Sequence, residues 1–220
     1  MALLVKICGI NSAEAADAAA RAGADFAGLV FHPKSPRFVA GEAARALADR
    51  LRGRTRLVAL LADADDETIS AAIKTAKPNY LQLHGRETPE RVGALRSRFG
   101  LPIIKAISVA DAADIAAAVV FEAAADLLLF DAKAPEDAAR PGGHGAPFDW
   151  QLLRGRNFLR PWLLAGGLTV ENVARAMAAS AAPGVDVSSG VETAPGVKSP
   201  ELIAAFVAAA RNAQFAQVAP

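Results

Sequence analysis

Residues 3–31 read LLVKICGINSAEAADAAARAGADFAGLVF, and this stretch decides the fold. A β-type apolar run, Leu3–Cys8, is followed by Asn11-Ser12 with Glu14 nearby, the N-cap and first-turn acid of a helix. An Ala-rich helical segment over 12–22 leads to a second apolar run, Asp25–Phe31. Two strands joined by a helix lie parallel with a right-handed crossover, because a parallel pair needs a long connection. The unit recurs along the chain. Strands are predicted at Thr55–Leu61, Tyr80–His84, Pro102–Ile107, Asp126–Phe130, Trp162–Ala165 and Val185–Ser188, with helices near 39–52, 65–76, 88–99, 110–121, 149–154, 169–179 and 199–213. Asp65-Asp66, Thr88-Pro89-Glu90 and Ser199-Pro200-Glu201 supply further helix starts. Eight such units close into a parallel (β/α)8 TIM barrel and lose both sheet edges, whereas six or fewer more often stay an open doubly wound sheet.

Composition fits one α/β domain over 1–213, with an Ala/Gln-rich, frayed tail at 214–220. Ala fills 53 of the 220 positions, so the 53% hydrophobic content owes much to a small helix-former and does not imply a membrane protein. The most apolar stretch, Ala112 to Phe130, is broken by Asp114, Glu122 and Asp126, and the first ten residues lack a signal-peptide pattern. A single cysteine, Cys8, forms no internal disulfide and fits a cytoplasmic location. The net charge of +1, without a Lys/Arg run, gives no footprint for nucleic acid. His32, His84 and His144 are too scattered for a helical metal site, so no metal is expected. The remaining class is a cytoplasmic protein acting on a small molecule.

A barrel of this kind carries its site at the C-terminal ends of the strands, and reactive residues crowd there. Gly166-Gly167 after the seventh strand and Ser188-Ser189-Gly190 after the eighth suit a phosphate held by backbone N–H groups; Gly166-Gly167 alone reads equally as a tight turn. A lone cysteine is most often a small buried hydrophobe, but alternation puts Lys6 and Cys8 on one strand face, where the ammonium lowers the thiol pKa and makes a usable nucleophile or general base. Lys6 equally suits a salt bridge to Asp131 or Asp186. Asp131 ends an apolar strand at the barrel mouth and is placed to act as an acid, on the order of 14 Å from the first strand's end between Cα atoms. Arg37, behind Ser35-Pro36, suits a planar carboxylate or is an exposed arginine. His84 is a site wall, a general acid or a strand-end histidine bonded to backbone. Asp186 binds a substrate N–H or partners Lys6. The long loop Ala132–Phe148, rich in Gly and Pro, reads as functional.

These residues in this order resemble one family. Lys6-Ile7-Cys8-Gly9-Ile10, Gly28-Leu29-Val30-Phe31 with Ser35-Pro36-Arg37, Leu81-Gln82-Leu83-His84-Gly85, Leu129-Phe130-Asp131-Ala132-Lys133, Gly142-Gly143-His144-Gly145 with Phe148-Asp149-Trp150, Leu164-Ala165-Gly166-Gly167-Leu168 and Val185-Asp186-Val187-Ser188-Ser189-Gly190-Val191-Glu192 are similar to phosphoribosylanthranilate isomerases of tryptophan biosynthesis. The resemblance implies an Amadori rearrangement of a phosphoribosyl anthranilate without metal or organic cofactor, with a small phosphosugar-anthranilate as the only partner beyond a monomer or homodimer. It also implies roles: Cys8 as general base, Asp131 as general acid, Arg37 on the anthranilate carboxylate, and His84 and Asp186 as polar lining. Gly145, Gly166, Gly167, Ser188, Ser189 and Gly190 are implied to hold the phosphate. His144 stands where the family often has Thr, and Leu61-Ala62 where it often has an aromatic. A metal-dependent epimerase would need more strand-end ligands than His84 supplies, and an indole-forming synthase would place Lys and Glu together at the mouth. A non-enzymatic phosphate-binding sheet gives no reason to combine Cys8, Arg37 and Asp131.

Overall fold

In the computed structural model, residues 2–133 and 147–218 are described. In chain order the elements are β1 (Leu4–Cys8), α1 (Ala13–Arg21), β2 (Phe26–Val30), α2 (Gly41–Leu51), β3 (Arg56–Leu61), α3 (Asp66–Ala76), β4 (Tyr80–Leu83), α4 (Pro89–Phe99), β5 (Ile103–Val109), α5 (Ala112–Ala117), β6 (Leu127–Ala132), β7 (Trp162–Leu164), α6 (Val173–Ser180), β8 (Gly184–Val187), β9 (Glu192–Ala194), β10 (Val197–Lys198) and α7 (Pro200–Val218). β1 to β8 close in sequence order into a parallel barrel, β1 pairing with both β2 and β8. The TIM barrel predicted from residues 3–31 and their recurrences is the fold.

Local chemistry sets the helix starts. Ser12 Oγ accepts from Ala15 N at 3.2 Å, Asp65 Oδ1 from Thr68 N at 2.8 Å, and Thr88 Oγ1 from Arg91 N at 3.3 Å, each satisfying an N–H that the helix cannot. Three predicted helices differ. The segment 110–121 is α-helical only to Ala117 and continues as a 3-10 turn over Ala118–Phe121, where the adjacent β-branched Val119 and Val120 sit. The segment near 149–154 is a 3-10 turn, Trp150–Leu153, capped by Asp149. The last helix runs on to Val218, into part of the segment expected to fray, because Ala and Gln favour helix. The antiparallel pair β9–β10 was not expected at all.

Apolar residues pack on both sides of the barrel wall. Outward, Ile7, Leu29, Leu61 and Phe130 meet the helices, including Phe206 of α7; inward, Phe26, Val58, Ile104, Leu127, Leu129 and Leu163 fill the lower barrel. Each such side chain contributes about 1.5–3 kcal/mol by leaving water. Higher in the barrel the interior turns polar with Lys6, Gln82 and Asp186, all buried. The seam between first and last elements is tied on the outside. Arg211 of α7 donates to Leu3 O and pairs with Asp25 at 2.7 Å, and Asp25 also accepts from Val5 N at 2.8 Å.

Candidate active site

Lys6 and Cys8 both face the barrel interior, as alternation along β1 requires. Lys6 is fully buried and its Nζ lies 2.9 Å from Asp186 Oδ1, its neighbour in register on β8. Of the two acids proposed as its partner, Asp186 is the one. Cys8 packs against Val30 and Leu60. A Cβ on Gly28 would stand 3.2 Å from Cys8 Sγ and 3.5 Å from Lys6 Nζ, so the absent side chain makes room for both groups. The expected lowering of the thiol pKa does not occur. Burial pushes the Cys8 thiol up, and Asp186 adds to this, while the Lys6 and Lys198 ammoniums only partly offset it. Lys6 itself is raised: burial works against its charge, but Asp186 and Cys8 outweigh burial.

Asp131 lies near the end of β6, with Oδ1 accepting from Ala132 N at 2.9 Å and Oδ2 3.2 Å from His84 Nε2. His84 Nδ1 is in turn 3.1 Å from Gln82 Nε2. With the Gln82 amide donating, the ring proton resides on Nε2 and points at the Asp131 carboxylate. His84 therefore bonds side chains across the mouth and not backbone. Its turn is fixed from outside the mouth by Lys105 and Glu87, two buried residues that sequence reasoning passed over. Lys105 Nζ bonds Glu87 Oε2 at 2.8 Å and Gly85 O at 2.7 Å, while Glu87 accepts from Gly85 N at 3.0 Å and Asp63 N at 2.9 Å.

Arg37 is not an exposed arginine. It is 5% exposed, and its Cδ lies where a Cβ on Gly9 would approach to 2.4 Å, a residue whose φ of +78° also favours glycine. Its Nε and Nη2 grip Glu192 at 2.6 and 2.8 Å, a bidentate pair that leaves Nη1 for another acceptor. Glu192 also takes Lys198 Nζ at 2.7 Å, and Lys198 donates to Ser188 O at 2.8 Å. Neither Glu192 as a partner of Arg37 nor Lys198 was singled out in advance; the available signal was two charged residues, Glu192 and Lys198, close behind Ser188-Ser189-Gly190.

The loops after β7 and β8 meet. Gly166 and Gly167 both have positive φ, and Asn172 clamps their loop by accepting from Thr169 N at 2.8 Å and donating to Gly167 O at 2.8 Å. Ser189–Val191 form a 3-10 turn. A Cβ on Gly190 would fall 1.8 Å from Leu168 O, so the loops after β7 and β8 touch backbone to backbone. Gly145, His144 and most of the long loop lie outside the described residues. Among the described residues, no group of three or more His, Cys, Asp or Glu is placed to hold a metal, and no helix is long and apolar enough to cross a membrane.

A family model described as N-(5'phosphoribosyl)anthranilate (PRA) isomerase matches residues 5–209. The chain belongs to this family. A phosphoribosylanthranilate isomerase of Rhodopseudomonas palustris (strain HaA2) is 51% identical over 214 residues, covering 97% of this chain and 98% of that one. The phosphoribosyl anthranilate isomerase structure from Thermotoga maritima superposes with a TM-score of 0.85 at 36% identity, covering 96% of this chain and 99% of that chain. Another isomerase structure, with a TM-score of 0.81, 33% identity and the same two coverages, is in complex with reduced 1-(o-carboxyphenylamino)-1-deoxyribulose 5-phosphate. A third, with the same TM-score, identity and coverages, is described as mutually generated monomers of the dimeric Thermotoga enzyme. Family membership settles the choice against the epimerase, synthase and non-enzymatic readings.

Proposed function

We infer that this protein is an N-(5'-phosphoribosyl)anthranilate isomerase, an aldose-ketose isomerase that forms 1-(2-carboxyphenylamino)-1-deoxyribulose 5-phosphate in the third step of tryptophan synthesis from chorismate. The observation carrying this reading is that one barrel mouth collects Cys8, Asp131, Arg37 and two touching glycine loops, in a chain whose family is shown. The chemistry divides between two groups. Asp131 protonates the furanose ring oxygen, the ring opens to an iminium, and Cys8 as thiolate takes the C2′ proton to give an enolamine that tautomerises to the ketone. Each transfer is a proton movement, so side chains alone suffice and no cofactor is invoked.

The other groups hold the substrate. Arg37 takes the anthranilate carboxylate, a planar anion suited to a fixed guanidinium. His84 and Asp186 line the sugar, with His84 held to Asp131 and Asp186 to Lys6. Gly166, Gly167, Ser188, Ser189 and Gly190 hold the phosphate by backbone N–H groups, together with Gly145 from the long loop. The enzyme works as a single barrel domain over 1–213, in the cytoplasm, as a monomer or homodimer, without nucleic-acid or membrane partners. The decisive assay follows the decay of substrate fluorescence with freshly made phosphoribosylanthranilate, with and without EDTA. Turnover insensitive to EDTA is expected; absence of turnover would overturn the isomerase reading, and EDTA-sensitive turnover its cofactor-free form.

A further inference from the structure

The unexpected β9–β10 hairpin sits between the two halves of the mouth. Its Glu192 carboxylate is buried and shared between two buried cations, Arg37 on one side and Lys198 on the other. Glu192 Oε2 also accepts from Gly196 N at 3.2 Å in the hairpin turn. That turn leans on two other loops: a Cβ on Gly196 would stand 2.6 Å from Pro36 O, and Asn11 Nδ2 donates to Gly196 O at 2.7 Å. From the far side of the same carboxylate, Lys198 Nζ reaches Ser188 O at 2.8 Å and Ser188 Oγ at 3.3 Å. One carboxylate thus links the loop that carries Arg37 to the loop that carries Ser188.

Resting on the isomerase reading, we propose that Glu192 and Lys198 are positioning residues that set the Arg37 guanidinium and the Ser188–Gly190 turn at a fixed separation, so that the enzyme gauges its substrate from carboxylate to phosphate. The charge count supports the assignment. Two cations share one carboxylate, so the buried node is one negative charge short, and an anionic ligand group supplies it. The protonation behaviour agrees: burial pushes the Lys198 ammonium down, while for Glu192 the two cations overcome the upward push of burial and hold its carboxyl below the usual range. A side chain holding only the fold together would act equally on every ligand; a gauge acts on one end at a time.

The test compares wild type with Glu192→Gln, Arg37→Met and the double variant. Glu192→Gln is expected to raise KM about tenfold with kcat within about threefold, and the double variant to lose less kcat/KM than the two single losses combined. Additive losses in the double variant would overturn the proposal. Lys198→Met keeps the Arg37–Glu192 pair and serves if Glu192→Gln does not fold. It should weaken binding of inorganic phosphate about fivefold or more and leave binding of anthranilate unchanged, both read by calorimetry. Unchanged phosphate affinity would overturn the proposal. Wild-type protein without turnover would instead overturn the isomerase reading, and the phosphate measurement would still decide the present inference.

Discussion

Replacing Gly190 by Ala tests the phosphate assignment through a single methyl group. The added Cβ would lie 1.8 Å from Leu168 O, 2.9 Å from Leu168 C and 3.1 Å from Thr169 Cα, all of them backbone atoms that cannot rotate away. A carbon–oxygen contact settles near 3.3 Å, so one loop must retreat by about 1.5 Å. Gly190 is not among the glycines with positive φ, so the cost is one of space and not of backbone strain. Overpacking of this kind costs about 1–3 kcal/mol, and in a domain of this size each kcal/mol lowers Tm by about 2–4 °C. The functional cost is larger, because a misplacement of about 1 Å can lower a rate about 100-fold. We expect kcat/KM to fall by about two orders of magnitude, mainly through KM, and the inhibition constant of inorganic phosphate to rise in parallel. Gly23→Ala is the comparison, since its φ of +78° imposes strain while nothing stands within 4 Å of the new methyl; it should lower Tm and leave the kinetics alone. A Gly190→Ala protein with lowered Tm but unchanged phosphate inhibition would refute the assignment of phosphate to these loops.

Cys8→Ser and Asp131→Asn should each lower kcat by at least about 100-fold with small change in KM, measured by steady-state fluorescence decay. The Cys8 thiol is raised by burial and must ionise to act, so kcat/KM of the wild type should keep rising with pH past the ordinary thiol range, and Cys8→Ser should lose that limb. Lys6→Met leaves Asp186 buried without its ammonium and should cost about 3–5 kcal/mol in urea unfolding. The same substitution removes a positive charge from beside the sulfur. That charge favours the thiolate over the thiol, so alkylation of Cys8 near pH 8 should slow. Glu87→Gln strands the Lys105 ammonium under the His84–Gly85 turn; a fall in Tm together with a fall in kcat is expected, and an unchanged Tm would sink the view that this pair is structural.

Elements were more legible in the chain than contacts were. The strand runs could be read because each is a short apolar stretch between helices with their own caps, as in Leu3–Cys8, where Ser12 does cap α1. The 3-10 turns at Ala118–Phe121 and Trp150–Leu153 looked helical because a single turn of either helix carries the same apolar spacing. β9 and β10 are too short to show alternation. Within the site, strand-end position marked Cys8, His84, Asp131 and Asp186, since topology alone brings strand ends together. The partner of Arg37 lay 155 residues away, and no local pattern announces such a pair. The direction of the Cys8 shift was missed for a related reason: the helpful charge of Lys6 is two residues away in sequence, whereas the burial and the Asp186 carboxylate that oppose it come from the closed barrel.

The seam where β1 meets β8, latched by Arg211 onto Leu3 and Asp25, also bears on how the protein is made. Seven of the eight strand pairings join neighbours in sequence and can form as the chain emerges, but the eighth waits for Gly184–Val187. At about 5–20 residues per second, β1 is exposed on one edge for roughly ten to forty seconds of synthesis. During that interval an open parallel sheet presents unpaired N–H and C=O groups to any other strand nearby. Lys6, whose ammonium pairs in the finished barrel with Asp186 from that last strand, then lacks this carboxylate and sits as a charge in the middle of the open edge. A charge facing inward on an edge strand discourages pairing with the wrong chain, so the ammonium that later neighbours the Cys8 sulfur first serves as a guard against aggregation.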